Sequence, residues 1–327
     1  MKKLKIVLTD AQTVTNGDLD LSVFEKYGDV TVYPLTSREQ TAERIADADC
    51  VLLNKTVLDE AVLSQAKKLK YIGIFATGYN MIDLAYCRAH GIVVSNAGSY
   101  STNAVAQTVF GFLLNHYSRT AQYNTFVREG GWMDSPSFSP FVFPTYELAD
   151  KTIGIVGYGA IGRKVAEIAR AFSMRVLAVT HRPVTDPDTA DSVRYVDMDT
   201  LLAESDIVSV HTPLTEETRG LFDAKAFAKC KKGAYFINTA RGGVVVEEAL
   251  LQALESGHLS GAGIDVLTQE PMARDCVLFG AKNLTVTPHI AWAPWETRVR
   301  LMHIVEENLR CFIDGAPTHV VGDCFGK

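Results

Sequence analysis

Nowhere in the 327 residues do about eighteen apolar side chains run together, the length a helix needs to cross a bilayer. The start, MKKLKIVLTD, offers Leu4, set off by Lys5, and then only Ile6, Val7 and Leu8 before Thr9 and Asp10. That is too short for the apolar core of a secretory signal. No basic block stands out, and 32 basic residues against 38 acidic ones leave a formal charge of −6. Nucleic acid and anionic membrane are therefore not expected as partners. Six cysteines (Cys50, Cys87, Cys230, Cys276, Cys311, Cys324) are scattered with no CxxC pair among them. They fit buried reduced thiols in a cytoplasmic setting better than a zinc site or a disulfide frame. No metal-ligating set is visible. What is present is a chain 47% apolar and 21% charged, able to bury a full core. At about 100–200 residues per domain, its length suggests two.

Short apolar, β-rich runs recur along the chain. The first set is 5–8, 30–33, 50–54, 71–76 and 92–96, with helical stretches at 37–48 and 59–67 between them. The second set is 152–157, 175–180, 207–211, 234–239, 261–266 and 284–287. Near-continuous apolar runs alternating with helices predict parallel strands covered on both faces, in two open α/β sheets. Residues 101–119 place Val105, Val109, Phe112, Leu113 and Tyr117 on one helical face, with Ser101 or Thr102 as cap. Residues 295–314 repeat the pattern with Leu301, Val305, Leu309 and Phe312, and too little chain follows for another domain. The expected layout is a discontinuous domain, 1–100 plus 295–327, with a second domain, 101–294, inserted into it. The two long helices would form the hinge.

One segment fits neither sheet. Residues 130–146 hold Pro136, Pro140 and Pro144, which exclude a regular helix, together with Trp132, Phe138, Phe141, Phe143 and Tyr146. Five aromatics in a loop are costly to leave in water. The segment reads either as a loop folded over its own domain or as an arm buried against a second subunit, and the second is the expectation.

The stretch KTIGIVGYGAIGRKVAEIARAF (151–172) carries Gly157, Gly159 and Gly162 after a predicted strand and at the opening of a predicted helix. Its inward face reads as Ile161, Val165, Ile168 and Phe172. Gly157 permits a tight turn, Gly159 lets the backbone approach a pyrophosphate at the helix N-terminus formed with Ala160 and Ile161, and Gly162 allows close helix–strand packing. This context predicts a Rossmann-like dinucleotide site. An NAD enzyme would present a carboxylate at the end of the next strand, to accept from the ribose 2′-hydroxyl. Here stand Thr180, His181 and Arg182. Without the carboxylate a 2′-phosphate is not repelled, and Arg182 can pair with it, so NADP is favoured over NAD.

Arg241, Glu270 and His289 lie at the ends of predicted strands, the edge where open parallel sheets bind ligands. Each alone reads as a surface cation, a turn residue before Pro271 and a core histidine. Beside a nicotinamide they make a working set for reducing a 2-keto acid. A histidine can protonate the carbonyl oxygen, a carboxylate can orient that imidazole and favour its charged form, and a guanidinium can clamp the substrate carboxylate.

With these residues in view, the chain resembles the D-isomer-specific 2-hydroxyacid dehydrogenase family over nearly its whole length. The Arg–Glu–His spacing, HTPLTEETRG (211–220) and GAGIDVLTQEP (261–271) carry the likeness. The resemblance implies an α/β fold with the cofactor domain inserted into a flavodoxin-like substrate domain, a cleft closing at the hinge, and a homodimer. It implies that Thr212, Pro213, Thr218, Thr108 and Ala240 lie along the dinucleotide and that Asp265 accepts from the nicotinamide carboxamide. The backbone of Ala76, Thr77 and Gly78 would hold the substrate carboxylate. Within the family, LLNKT, ATGYN, SPSFSPFVFP and PHIAWAP look most like the glycerate dehydrogenase, or hydroxypyruvate reductase, branch. Lys55 would steer a small anion, and Trp292 would wall the pocket. The implied reaction reduces hydroxypyruvate or glyoxylate to the D-2-hydroxy acid, with His289 as general acid. The alternatives are a phosphoglycerate-type dehydrogenase, whose relatives often add a regulatory domain, and a nucleotide-sensing, corepressor-like binding protein of the same fold. Formate dehydrogenases replace the glutamate, which is present here.

Overall fold

A computed structural model describes residues 3–180, 192–322 and 324. The chain divides into two compact units, Met1–Ser101 with Ala293–Lys327, and Thr102–Trp292.

In the first unit five strands pair in parallel: β1 (Leu4–Leu8), β2 (Gly28–Val32), β3 (Cys50–Leu53), β4 (Tyr71–Ile74) and β5 (Val93–Ser95). Their order, β2-β1-β3-β4-β5, is that of a flavodoxin-like sheet. β3 and β4 are buried along their whole length, which is why they read as unbroken apolar runs. The crossover helices are short: α1 (Arg38–Ile45), α2 (Glu60–Leu63) and α3 (Leu84–Ala89). Asp59 and Asp83 start the last two by accepting from the Val62 and Tyr86 N–H groups. The helix expected over 59–67 therefore shrinks to one turn. The long α10 (Trp295–Ile313) belongs to this unit. Its Leu301, Val305 and Leu309 are fully buried, and Phe312 stacks on Tyr71 of β4 with ring centroids 4.7 Å apart.

The second unit opens with α4 (Thr102–Ser118) and α5 (Thr120–Arg128). Val105, Val109, Phe112, Leu113 and Tyr117 are all buried, on the face the sequence indicates. The βα repeat follows: β6 (Thr152–Val156), α6 (Ala160–Ala171), β7 (Arg175–Val179), β8 (Arg194–Tyr195), α7 (Met198–Glu204), β9 (Ile207–Val210), α8 (Ala224–Lys229), β10 (Ala234–Asn238), α9 (Glu247–Glu255), β11 (Leu259–Ile264) and β12 (Leu284–Val286). These strands pair in parallel in the order β12-β11-β10-β9-β6-β7-β8 among the described residues, the doubly wound arrangement of a Rossmann fold. The order reverses between β6 and β9, and the first glycine loop lies at that switch point.

One expectation needs correction here, and one alternative falls away. The inward face of α6 is Gly162, Val165, Ala166 and Ala169. Ile161 and Ile168 are only partly buried beside it, and Phe172 is 38% exposed, stacked on Phe110. Close packing of helix on strand selects small side chains at i, i+3, i+4 and i+7, and the bulkier residues flank that line. Nor is segment 130–146 folded away over its own unit. Phe138 and Phe141 are each 92% exposed, and Trp132 and Tyr146 are more than half exposed. The segment is anchored near its end by Tyr123, whose hydroxyl donates to the Phe143 carbonyl at 2.8 Å.

Candidate active site

The sharp turn after β6 sets the first part of the site. Gly157 has φ +97°, and a Cβ there would meet the His211 carbonyl oxygen at 2.7 Å and the Thr212 nitrogen at 2.8 Å, so the glycine loop presses on the end of β9. A methyl on Gly162 would lie 2.3 Å from the Gly157 carbonyl oxygen. Among the described residues nothing crowds Gly159 and no side chain caps α6, whose first turn begins with Ala160 and Ile161. Uncapped N–H groups over a clear approach suit the pyrophosphate of a dinucleotide, so the residues fit that group. Thr180, after β7, brings no carboxylate; His181 and Arg182 lie outside the described residues.

At the end of β9, Thr212 is buried and Pro213 exposed. The hydroxyl of Thr218 donates to the Pro213 carbonyl at 2.7 Å and accepts from the Thr215 N–H at 2.8 Å, so it shapes this loop. Thr108, on α4, turns its hydroxyl back to the Ala104 carbonyl at 3.2 Å.

Arg241, Glu270 and His289 follow β10, β11 and β12. The side chain of Asn238, buried at the end of β10, donates to the Arg241 carbonyl at 2.9 Å and accepts from the Ala240 N–H at 3.0 Å, fixing the turn. The Arg241 side chain is exposed and donates to the Ala240 carbonyl at 2.7 Å. Gly242 then touches the next loop, since a Cβ there would fall 1.9 Å from the Leu267 carbonyl carbon. Only glycine lets the arginine turn rest on the segment leading to Glu270. That segment is also tied by Glu247, which accepts from the Thr268 N–H at 2.7 Å, and by Glu270 itself, which accepts from the Leu267 N–H at 3.0 Å.

Glu270 Oε2 and His289 Nδ1 are 2.6 Å apart, both partly exposed. His289 has φ +54°, a left-handed conformation costly for a side chain with a Cβ. Asp265, 1% exposed, enforces it. Its carboxylate accepts from Thr287 Oγ1 at 2.5 Å, Ile290 N at 2.9 Å and Ala291 N at 2.9 Å, while its own carbonyl accepts from His289 N at 2.8 Å. Burial holds this carboxyl above the usual carboxylate range, against the bonds from Thr287, Ala291 and Ile290. Asp265 is thus engaged by the histidine loop itself. Trp292, partly buried, ends the unit.

The first unit carries its own cluster at the C-terminal edge of its sheet. Buried Asp10 accepts from the backbone N–H groups of Asn54, Lys55 and Thr56, at 2.9, 2.6 and 2.8 Å, and so fixes the loop on which exposed Lys55 stands. In the turn Ala76, Thr77, Gly78, the Thr77 hydroxyl donates to the Gly98 carbonyl, and Asn96 Nδ2 donates to the Thr77 carbonyl at 2.7 Å. Sequence reasoning missed Asp10, Asn238, Glu247 and Thr287. The signal was a polar residue at the end of an apolar strand or in the first turn of a helix.

The doubly wound sheet and its glycine loop define a dinucleotide-binding fold. The profile of the D-isomer specific 2-hydroxyacid dehydrogenase, NAD binding domain, matches residues 110–291. The chain is 39% identical to a hydroxypyruvate reductase of Blautia hydrogenotrophica, over 97% of this chain and 99% of that protein. It is 39% identical to a glycerate dehydrogenase of Methylorubrum extorquens, over 86% and 88%. An acyclic imino acid reductase solved with NADPH and D-Arg superposes with a TM-score of 0.84 at 31% identity, covering 97% of this chain and 100% of that one. The chain belongs to the D-isomer-specific 2-hydroxyacid dehydrogenase family.

Proposed function

We propose that this protein reduces hydroxypyruvate or glyoxylate to the D-2-hydroxy acid, with NADPH preferred to NADH and His289 as general acid. The carrying observation is the 2.6 Å pair of Glu270 Oε2 and His289 Nδ1. When bound, the nicotinamide supplies the hydride. With Nδ1 donating to Glu270, the second ring nitrogen, Nε2, is left to carry the proton that the carbonyl oxygen needs. The carboxylate fixes the orientation of the ring. Arg241, which makes no ion pair among the described residues, binds the substrate carboxylate as a planar fork. Lys55, Ala76, Thr77, Gly78 and Trp292 are assigned to substrate recognition.

His289→Ala is expected to lower kcat about 10²–10⁴-fold while dinucleotide affinity stays within twofold. Near-full turnover would remove the assignment. The preference for NADPH rests on Thr180, where a carboxylate would repel the 2′-phosphate. Michaelis constants for NADH and NADPH within threefold of each other would defeat it. No turnover on any small keto acid, with tight peptide binding instead, would turn the reading to a nucleotide-sensing binding protein.

The exposed aromatics of 130–146 support self-association, with this arm covered by a second copy of the chain. A monomer in light scattering at micromolar concentration would overturn that. Among the described residues no disulfide joins any of the six cysteines, which suits a reducing, cytoplasmic setting.

A further inference from the structure

Glu270 uses its two oxygens separately. Oε2 faces His289 Nδ1 at 2.6 Å, and Oε1 accepts from the Leu267 N–H at 3.0 Å. The direction in which the carboxylate meets the imidazole therefore depends on where the Leu267 N–H stands. That stretch follows β11 and belongs to no helix or strand. Among the described residues, neither the Leu267 nor the Thr268 N–H meets a backbone carbonyl. Both are taken by carboxylates, Leu267 by Glu270 and Thr268 by Glu247 at 2.7 Å.

Glu247 reaches both flanks of Glu270. Its Oε1 holds Thr268 on the near side, and its Oε2 lies 3.8 Å from Cys276 Sγ on the far side, within reach of a thiol hydrogen bond. The base from which it reaches is firm. Glu247 opens α9, whose Ala249, Leu250, Ala253 and Leu254 are buried, and the preceding Val246 N–H donates to the Phe222 carbonyl at 3.1 Å. A backbone N–H held by a charged acceptor on such a base is a strong tie. The other acid in the first turn of α9, Glu248, is exposed and shares with Glu247 only the favourable charge at a helix start.

We infer that Glu247 is a positioning residue for the reduction: it clamps the loop from Thr268 to Cys276, so that Glu270 holds His289 in the orientation that proton delivery needs. The inference rests on the roles proposed above for Glu270 and His289. Glu247 itself touches neither substrate nor dinucleotide in this scheme and acts only through Glu270.

The test joins steady-state kinetics on hydroxypyruvate with backbone hydrogen exchange of the peptide 266–270 in the ligand-free chain. Glu247→Ala should speed exchange there about tenfold or more and lower kcat about 10–100-fold, with KM changed less than about threefold. Glu247→Gln keeps an oxygen for the Thr268 N–H and should restore kcat to within about threefold of wild type. Glu248→Ala should match wild type in both readings. In a Glu270→Ala background, Glu247→Ala should lower kcat by less than about twofold more, because the group through which it acts is gone. Unchanged exchange at 266–270 overturns the inference, as do losses that multiply in the double variant. A loss in Glu248→Ala equal to that in Glu247→Ala also overturns it, leaving only charge at the helix start. Full kcat in Glu270→Ala, with exchange still quickened by Glu247→Ala, refutes the functional reading of Glu270 and takes the inference with it.

Discussion

The rings of His116 and His211 have both lost water to surrounding protein, and their pKa values fall from 6.5 to about 4 and about 3. Above pH 6.5 both are neutral whether the chain is folded or not, and their contribution to stability is complete. Between 6.5 and those lowered values the unfolded chain binds protons that the folded chain refuses, so stability declines as pH falls. Urea midpoints should drop between pH 7 and pH 4.5, and His116→Gln should make that drop shallower; identical slopes would refute the assignment. Gly242 presents the opposite problem, since it has no group to titrate and no room to grow. Gly242→Ala should force the Leu267 backbone outward, displacing the Glu270 loop. The expected loss in kcat/KM exceeds 100-fold, with dinucleotide affinity retained, as fluorescence titration would show. Arg241, Glu270 and His289 were legible in the sequence because each ends an apolar run with a polar residue of distinct chemistry. Asp265 was legible too, but not its bonds to Thr287, Ile290 and Ala291, which depend on a left-handed His289.

At the scale of the element, α6 separates size from burial. Val165, fully buried, should cost about 2 kcal/mol when cut to alanine, whereas the larger but 38% exposed Phe172 should cost about 1 kcal/mol. Urea denaturation of the two variants would check the order, and a larger loss at Phe172 would contradict the observed face. The strands were readable because burial on both faces leaves nearly unbroken apolar runs, as in β3, β4 and β6. Less legible were α3, α5 and α8, which run six to nine residues and hold too few turns for a period to show. The true face of α6 was hidden by a bias toward bulk, when contact with a strand selects glycine and alanine. Asp10 was hidden because three backbone N–H groups from a loop some forty-five residues away leave no mark on local spacing.

At the scale of the molecule, the thiols form two populations. Cys50, Cys87 and Cys230 have burial pushing their pKa values up to about 12, and Cys324 is also buried. Cys276 and Cys311 are only partly covered. A thiol reagent at pH 8 should therefore modify two groups quickly in the native chain and all six in guanidinium; rapid loss of more than two would contradict the packing. The discontinuity of the first unit has its consequence in time. On the ribosome, 1–101 emerge before the inserted unit, but the helix bearing Phe312, which stacks on Tyr71, and Asn308, which donates to the Asn96 carbonyl, is made only after it. The inserted unit, ending at Trp292, is made just before that helix begins at Trp295. Nascent chains should thus leave the opening segment open to protease, with its β4 face bare, until that helix is made, dependent in that interval on whatever shields it from aggregation.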